Sequence, residues 1–201
     1  MTDKLYPAWL DLTGIRVLVV GAGRIGRRRA KTLLDGGAEV TVLALRFLDE
    51  FLVWEKEGRV VLLKKEFSQE DLDGFPICFA CTNQPEINQD IVDKSRSRGM
   101  WVSSATRAMG RNVLPGAVIR RGCLNLSVST GGKAPILARR LRACLEAFFS
   151  EKWGSFSEEI SRRRSRETGT GPERDIIERR IRRAFQQAAS DYTDSTLEKG
   201  D

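Results

Sequence analysis

The stretch Gly21-Ala22-Gly23-Arg24-Ile25-Gly26 restricts this chain more than any other feature. It follows directly on Ile15 to Val20, a β-branched apolar run of strand length, and leads into Arg27 to Leu34, a helical run closed by Gly36-Gly37. A Gly-x-Gly-x-x-Gly spacing is common on its own, but between a buried strand and a helix it marks a dinucleotide-binding turn. The first glycine permits the tight turn. The second lets the backbone approach a pyrophosphate, and the third lets helix and strand pack closely. The positive end of the helix then faces the phosphates. Gly21, Gly23 and the helix-opening residue Ile25 are therefore candidate cofactor contacts.

The alternation that begins here continues. Val40 to Leu45 reads as a strand, Phe47 to Glu57 as a helix stopped by Gly58, and Val60 to Leu63 as a strand. A short helical turn over Ser68 to Leu72 precedes a strand over Ile77 to Cys81. A helix over Glu86 to Arg98, with Pro85 near its start, precedes a fifth strand over Trp101 to Ala105. Strands alternating with helices predict an α/β protein with a Rossmann-type parallel sheet covered on both faces. We assign residues 1–112 to this domain.

The rhythm then changes. Arg107 to Asn112 is loop-like. Val113 to Ile119 and Cys123 to Ser129 read as a hairpin turning at Arg120-Arg121-Gly122. A helix with Pro135 in its first turn carries Leu137, Leu141, Cys144, Leu145 and Phe148 on one face. This makes a small α+β unit over residues 113–150. Residues 151–201 form a basic helical tail: a charged run over Ser161 to Arg166, a linker at Thr168 to Pro172, and a short amphipathic helix built on Ile176, Ile177, Ile181 and Phe185. Disorder is expected from Ser190.

Three polar groups stand at ligand-binding positions. Thr82-Asn83 follows the fourth strand at the carboxyl edge of the sheet, where such folds bind ligands, or else caps the next helix. Ser129-Thr130-Gly131-Gly132 precedes a helix and is either an anion seat or a tight connection. Leu43-Ala44-Leu45-Arg46 occupies the end of strand two, where an acidic residue often holds the ribose hydroxyls of NAD. Arg46 there suits a 2′-phosphate or is simply an exposed residue before a helix, so NADP stays open beside NAD. A net charge of +7 favours polyanionic partners. Lys133, Arg139 and Arg140, with Arg107, Arg111, Arg120 and Arg121, form either a solvated basic face or a seat for a polycarboxylate.

Several classes are excluded. No apolar run approaches the ~20 residues of a membrane span, and Met1-Thr2-Asp3-Lys4 lacks the layout of a secretory leader. We therefore expect a soluble cytoplasmic protein. There is no histidine, and Cys78 and Cys81, three apart on a strand, point to opposite faces; no metal site is expected. All four cysteines read as buried free thiols.

Taken together these residues resemble the precorrin-2 dehydrogenase family, which also occurs as the first module of siroheme synthase. The resemblance spans about Leu5 to Phe149. It includes Tyr6-Pro7-Ala8-Trp9-Leu10-Asp11-Leu12, Val19-Val20-Gly21-Ala22-Gly23, and Leu33-Leu34-Asp35-Gly36-Gly37-Ala38 with Val40-Thr41-Val42. It also takes in Phe79-Ala80-Cys81-Thr82-Asn83 with Asn88, and above all the block Ser127 to Arg139. It implies a Rossmann domain, an interlocked dimerisation region at 113–150 and a helical C-terminal segment, assembled as a homodimer. It implies NAD-dependent oxidation of precorrin-2, an acidic tetrapyrrole, to sirohydrochlorin; some members also insert Fe(II). By position, Gly23-Arg24 and Ala44-Leu45 would contact NAD, and Thr82-Asn83 would stand at the cofactor. Ser129 matches an active-site serine phosphorylated in some members. Arg107, Arg111, Lys133 and Arg139 would bind substrate carboxylates. One departure matters: the family usually places an aspartate after the fifth strand, suited to acid–base work, where this chain has Thr106. Threonine is no general base at neutral pH. The expectation is a dehydrogenase with weak or absent ferrochelatase activity. A non-enzymatic NAD-binding regulator is the alternative. Nucleic-acid binding lacks any supporting motif.

Overall fold

The computed structural model describes residues 5–166 and 172–197. The chain divides into two compact units, with Leu114 closing the first and Pro115 opening the second.

The first unit contains β1 (Arg16–Val20), α1 (Arg24–Leu34), β2 (Glu39–Leu43), α2 (Asp49–Lys56), β3 (Val60–Leu63), a 3₁₀ turn (Gln69–Leu72), β4 (Ile77–Ala80), α3 (Pro85–Ser97) and β5 (Trp101–Ser104). Its five strands are all parallel in the order β3-β2-β1-β4-β5. Alternate residues of each strand feed opposite cores, as the two-residue strand period requires. Val17, Val19, Val40, Val42 and Phe79 pack on one face with Ala30, Leu33 and Phe51 of α1 and α2. Leu18, Val20, Leu43, Cys78 and Val102 pack on the other with Leu72, Ile91 and Val92. Phe51 is fully buried, edge-on to Trp54 at 5.3 Å; burying such a ring stabilises by roughly 1.5–3 kcal/mol.

Cys78 and Cys81 enter these two different cores and are free thiols, as the strand period demands. Burial pushes the Cys78 thiol up to about 12 and the Cys81 thiol up to about 11. Cys123 and Cys144 are exposed, against the sequence expectation.

The outer edge of β5 is closed by one side chain. Asn112 Oδ1 accepts the Val102 N–H at 2.7 Å, and Asn112 Nδ2 donates to the Met100 carbonyl at 3.1 Å. The Asn112 and Val113 backbone amides both donate to the Val102 carbonyl. A loop thus supplies the pairing another strand would give, blunting an edge that would otherwise recruit one.

The second unit pairs β6 (Ala117–Arg121) with β7 (Leu124–Val128) in antiparallel fashion, followed by α4 (Pro135–Phe148), α5 (Lys152–Arg166) and α6 (Pro172–Leu197). Arg121 pairs with Leu124, so the hairpin turn is Gly122-Cys123. Gly122, at φ +57, takes the first central position of a two-residue turn, where positive φ matches the strand twist. Arg120 and Arg121 are consequently strand residues, a correction to the expected turn, and Cys123 is exposed because it sits at the tip. Arg121 turns inward: its Nε donates to the Phe149 carbonyl at 2.8 Å.

The tail is also more ordered than its composition suggests. Phe148, Phe149, Trp153, Phe156, Phe185 and Tyr192 form one aromatic cluster linking α4, α5 and α6. The helix expected to be short runs 26 residues, and disorder expected from Ser190 gives way to helix through Leu197. The charged run Ser161–Arg166 is the end of α5. Of the expected linker, residues 168–171 lie outside the described residues. No helix among the described residues is long and apolar enough to cross a membrane.

Candidate cofactor and substrate residues

The order β3-β2-β1-β4-β5 reverses direction between β1 and β4, and ligands bind at the carboxyl ends of strands beside such a switch point. The fingerprint turn stands there. Gly21, at φ +106, donates its N–H to the Leu43 carbonyl at 2.8 Å, tying the ends of β1 and β2 together. A Cβ on Gly21 would lie 2.5 Å from the Cys81 carbonyl oxygen, and one on Gly26 would overlap the Gly21 carbonyl oxygen. Neither position tolerates a side chain. Gly23 is different: nothing lies within 4 Å of where its Cβ would be. Space for a ligand therefore opens directly against the backbone.

Gly23 is the N-cap of α1 and offers no side-chain cap. The first intrahelical bond runs from Arg27 N–H to the Gly23 carbonyl, so the amides of the first turn need another acceptor. The first turn holds no acidic residue, and Arg24 and Ile25 are exposed. These features fit a pyrophosphate. On β2, Leu43 is buried and the strand ends there, so Ala44 and Leu45 belong to the following loop; Leu45 is 56 % exposed.

Beyond β4, Thr82 is held by a fully buried amide. Asn88 Oδ1 accepts the Thr82 N–H at 3.0 Å and faces the Thr82 hydroxyl at 2.9 Å, while Asn88 Nδ2 donates to the Thr82 carbonyl at 3.1 Å. The same Nδ2 reaches Thr106 Oγ1 at 3.5 Å. Thr106 Oγ1 also lies 3.0 Å from Ser104 Oγ. The structure thus joins Thr82 and Thr106, at the ends of β4 and β5, through one amide. Asn83 beside them is exposed. No carboxylate takes part in these bonds. Asn88 was legible only as part of a motif, because its bonds reach back across a turn. Arg111 donates to the Thr106 carbonyl at 2.7 Å, so at least one of its nitrogens fastens this loop, whereas Arg107 is exposed.

In the second unit, Ser129 Oγ accepts the Gly131 N–H at 3.2 Å and Thr130 Oγ1 accepts the Ala134 N–H at 3.1 Å. Gly131 and Gly132 both have positive φ, bending the chain into α4. Ser129, Lys133 and Arg139 are exposed. No cluster of three or more potential metal ligands occurs among the described residues.

The sheet order, the fingerprint turn and the open helix N-terminus define a Rossmann-type nucleotide-binding protein. A family model described as "Putative NAD(P)-binding" matches residues 8–117, and the chain belongs to that family. A second model, sirohaem biosynthesis protein central, matches residues 121–147. The siroheme synthases of Salmonella dublin and Citrobacter koseri are each 32% identical over 160 residues, covering 80% of this chain and 35% of theirs. The chain therefore spans about a third of the length of these relatives. The solved structure of SirC, precorrin-2 dehydrogenase, superposes with a TM-score of 0.76 at 27% identity, covering 92% of this chain and all of that one.

Proposed function

We propose that this chain is an NAD-dependent dehydrogenase that oxidises precorrin-2 to sirohydrochlorin in siroheme biosynthesis, in the cytoplasm. The observation that carries this reading is the presence, in one chain, of an intact dinucleotide turn and a Ser129–Arg139 segment lying within the sirohaem-specific match. Likeness to SirC over the full length of that chain supports it.

The residues divide the work. The first-turn amides of α1, approached over Gly23, hold the pyrophosphate. Ala44 and Leu45 offer backbone and apolar surface to the adenosine ribose. Thr82 and Asn83 face the nicotinamide end, with Thr82 fixed by Asn88. When bound, NAD supplies the hydride acceptor. Arg107, Arg111, Lys133 and Arg139 offer charge-assisted hydrogen bonds to the carboxylates of the tetrapyrrole. Ser129 stands with Thr106 as the proposed catalytic pair of hydroxyls. Thr106 contributes a hydroxyl but no base, so released protons pass to water or to the substrate's own carboxylates.

Iron insertion must remove pyrrole protons as the cation enters, and Thr106 with its partners Asn88 and Ser104 accepts none at neutral pH. We therefore assign weak or absent ferrochelatase activity. Thr106→Asp would put a carboxylate beside the Asn88 amide and Ser104 hydroxyl, and it should raise Fe(II) insertion measurably.

The test is anaerobic turnover of precorrin-2 with NAD, following reduced cofactor and the sirohydrochlorin spectrum. Turnover with slow or no Fe(II) insertion is the expected result. No turnover by a folded chain that still binds NAD would favour a non-enzymatic nucleotide sensor, the reading that the missing base otherwise suits.

A further inference from the structure

The adenosine end of the cofactor opening carries unbalanced positive charge. Gly21 N–H on the Leu43 carbonyl sets the fingerprint turn against the end of β2, and the Arg27–Glu50 ion pair at 3.0 Å ties α1 to α2. Arg24 lies one helical turn before Arg27, and Arg46 lies one short step before Glu50. Arg24 is the first residue of α1 after the fingerprint turn, and Arg46 is an exposed residue of the loop three positions after Leu43, so both stand beside the junction of β1 and β2 where the adenosine ribose of a dinucleotide would lie. Arg24, Arg28 and Arg46 have no ion pair among the described residues, whereas Arg27 and Lys31 are paired with Glu50 and Asp35. Along α1 itself, Arg24, Ile25, Arg27, Arg28 and Lys31 line a concavity of about 370 Å³. From Leu43 to Phe47 there is no carboxylate to accept the ribose hydroxyls or repel a phosphate. An acid at this point selects the 2′-hydroxyl, and an arginine accommodates the 2′-phosphate.

We infer that this opening accepts the 2′-phosphorylated cofactor as well as the unphosphorylated one, with Arg46 as the specificity-determining residue and Arg24 adding to the field. This rests on the nucleotide site proposed above and concerns which nucleotides enter it. The chain would then draw on either nicotinamide pool.

The experiment is calorimetric titration of the full chain with ADP-ribose and with 2′-phospho-ADP-ribose, fragments whose binding needs no turnover. The wild-type chain should bind the two within about threefold. Arg46→Ala should weaken the phosphorylated fragment roughly five- to twentyfold and the plain one less than twofold, as expected for loss of one charge-assisted contact. Leu45→Asp, at an exposed position, should shift the ratio at least tenfold towards plain ADP-ribose. Binding of ADP-ribose alone by the wild type overturns this inference and leaves the dehydrogenase reading intact. So does an equal loss for both fragments in Arg46→Ala. If neither fragment binds the folded chain, the nucleotide site itself falls.

Discussion

Asn88 is the residue on which the carboxyl edge of the sheet turns. Removing its amide leaves the half-buried Thr82 N–H without its acceptor, and a buried donor left unpaired costs roughly 1–3 kcal/mol, of which this half-buried one should show the lower part. For a chain of this size that lowers Tm by about 2–4 °C per kcal/mol. Asn88→Ala should therefore melt several degrees lower and bind NADH more weakly, because Thr82 loses its anchor. A lower Tm with unchanged NADH affinity would confine Asn88 to stability. The thiols give a second prediction at this scale. Burial holds Cys78 at about 12 and Cys81 at about 11, both above the ordinary 9.0, whereas Cys123 and Cys144 are exposed. At pH 8 a maleimide or disulfide reagent should modify Cys123, at the hairpin tip, rapidly and Cys78 and Cys81 only on unfolding. Since the folded thiols titrate above the unfolded ones, their contribution to stability is complete below pH 9 and fades as pH rises towards 11–12. Urea midpoints measured across that range should fall.

At the scale of elements, hydrophobic period and glycine placement made the parallel sheet legible. Each of its five strands was anticipated because a buried strand is a short apolar run bounded by turn residues. The hairpin was legible as a hairpin but not in register: Arg120 and Arg121 look like turn residues by charge, while only the cross-strand pairing reveals that Gly122-Cys123 turns the chain. The tail's length as helix is hidden in the sequence for a related reason. Ile181, Phe185, Ala188 and Tyr192 follow helical spacing, but an alanine and many charges dilute the stripe. Its partners Phe149 and Trp153 are also far away in sequence. The hairpin turn yields a sharp test. A Cβ at Gly122 would meet the Gly154 carbonyl oxygen at 2.7 Å, and φ is positive. Gly122→Ala should cost roughly 2–5 kcal/mol in urea unfolding, from strain and overlap together. Gly58→Ala, also at positive φ but with nothing within 4 Å, should cost only the strain of about 1–2 kcal/mol.

For the whole molecule, the net charge and the family resemblance both point to an acidic ligand, and the resemblance alone implies a paired subunit. The second of these now has a surface to test. Spacing puts the apolar residues of α4 on one face, yet the chain divides them. Leu145 and Phe148 pack into the aromatic cluster, while Leu137 and Leu141 are 52 % and 43 % exposed and neighbouring Ile136 is 65 % exposed. Periodicity identifies an apolar stripe but cannot say whether a residue's cover comes from its own chain or from another. A soluble protein seldom leaves such a stripe bare, and we propose that a second copy of this chain covers it. Light scattering should then give twice the 22.6 kDa chain mass. Leu137→Arg with Leu141→Arg should return the chain to monomer, since buried unpaired cations are disfavoured across an isologous contact. Both positions are exposed in the single chain, so the far-UV circular dichroism of the double variant should be unchanged. Wild-type chain that runs as a monomer at tens of micromolar would rule out a stable dimer. A double variant that remains a dimer would move the interface elsewhere.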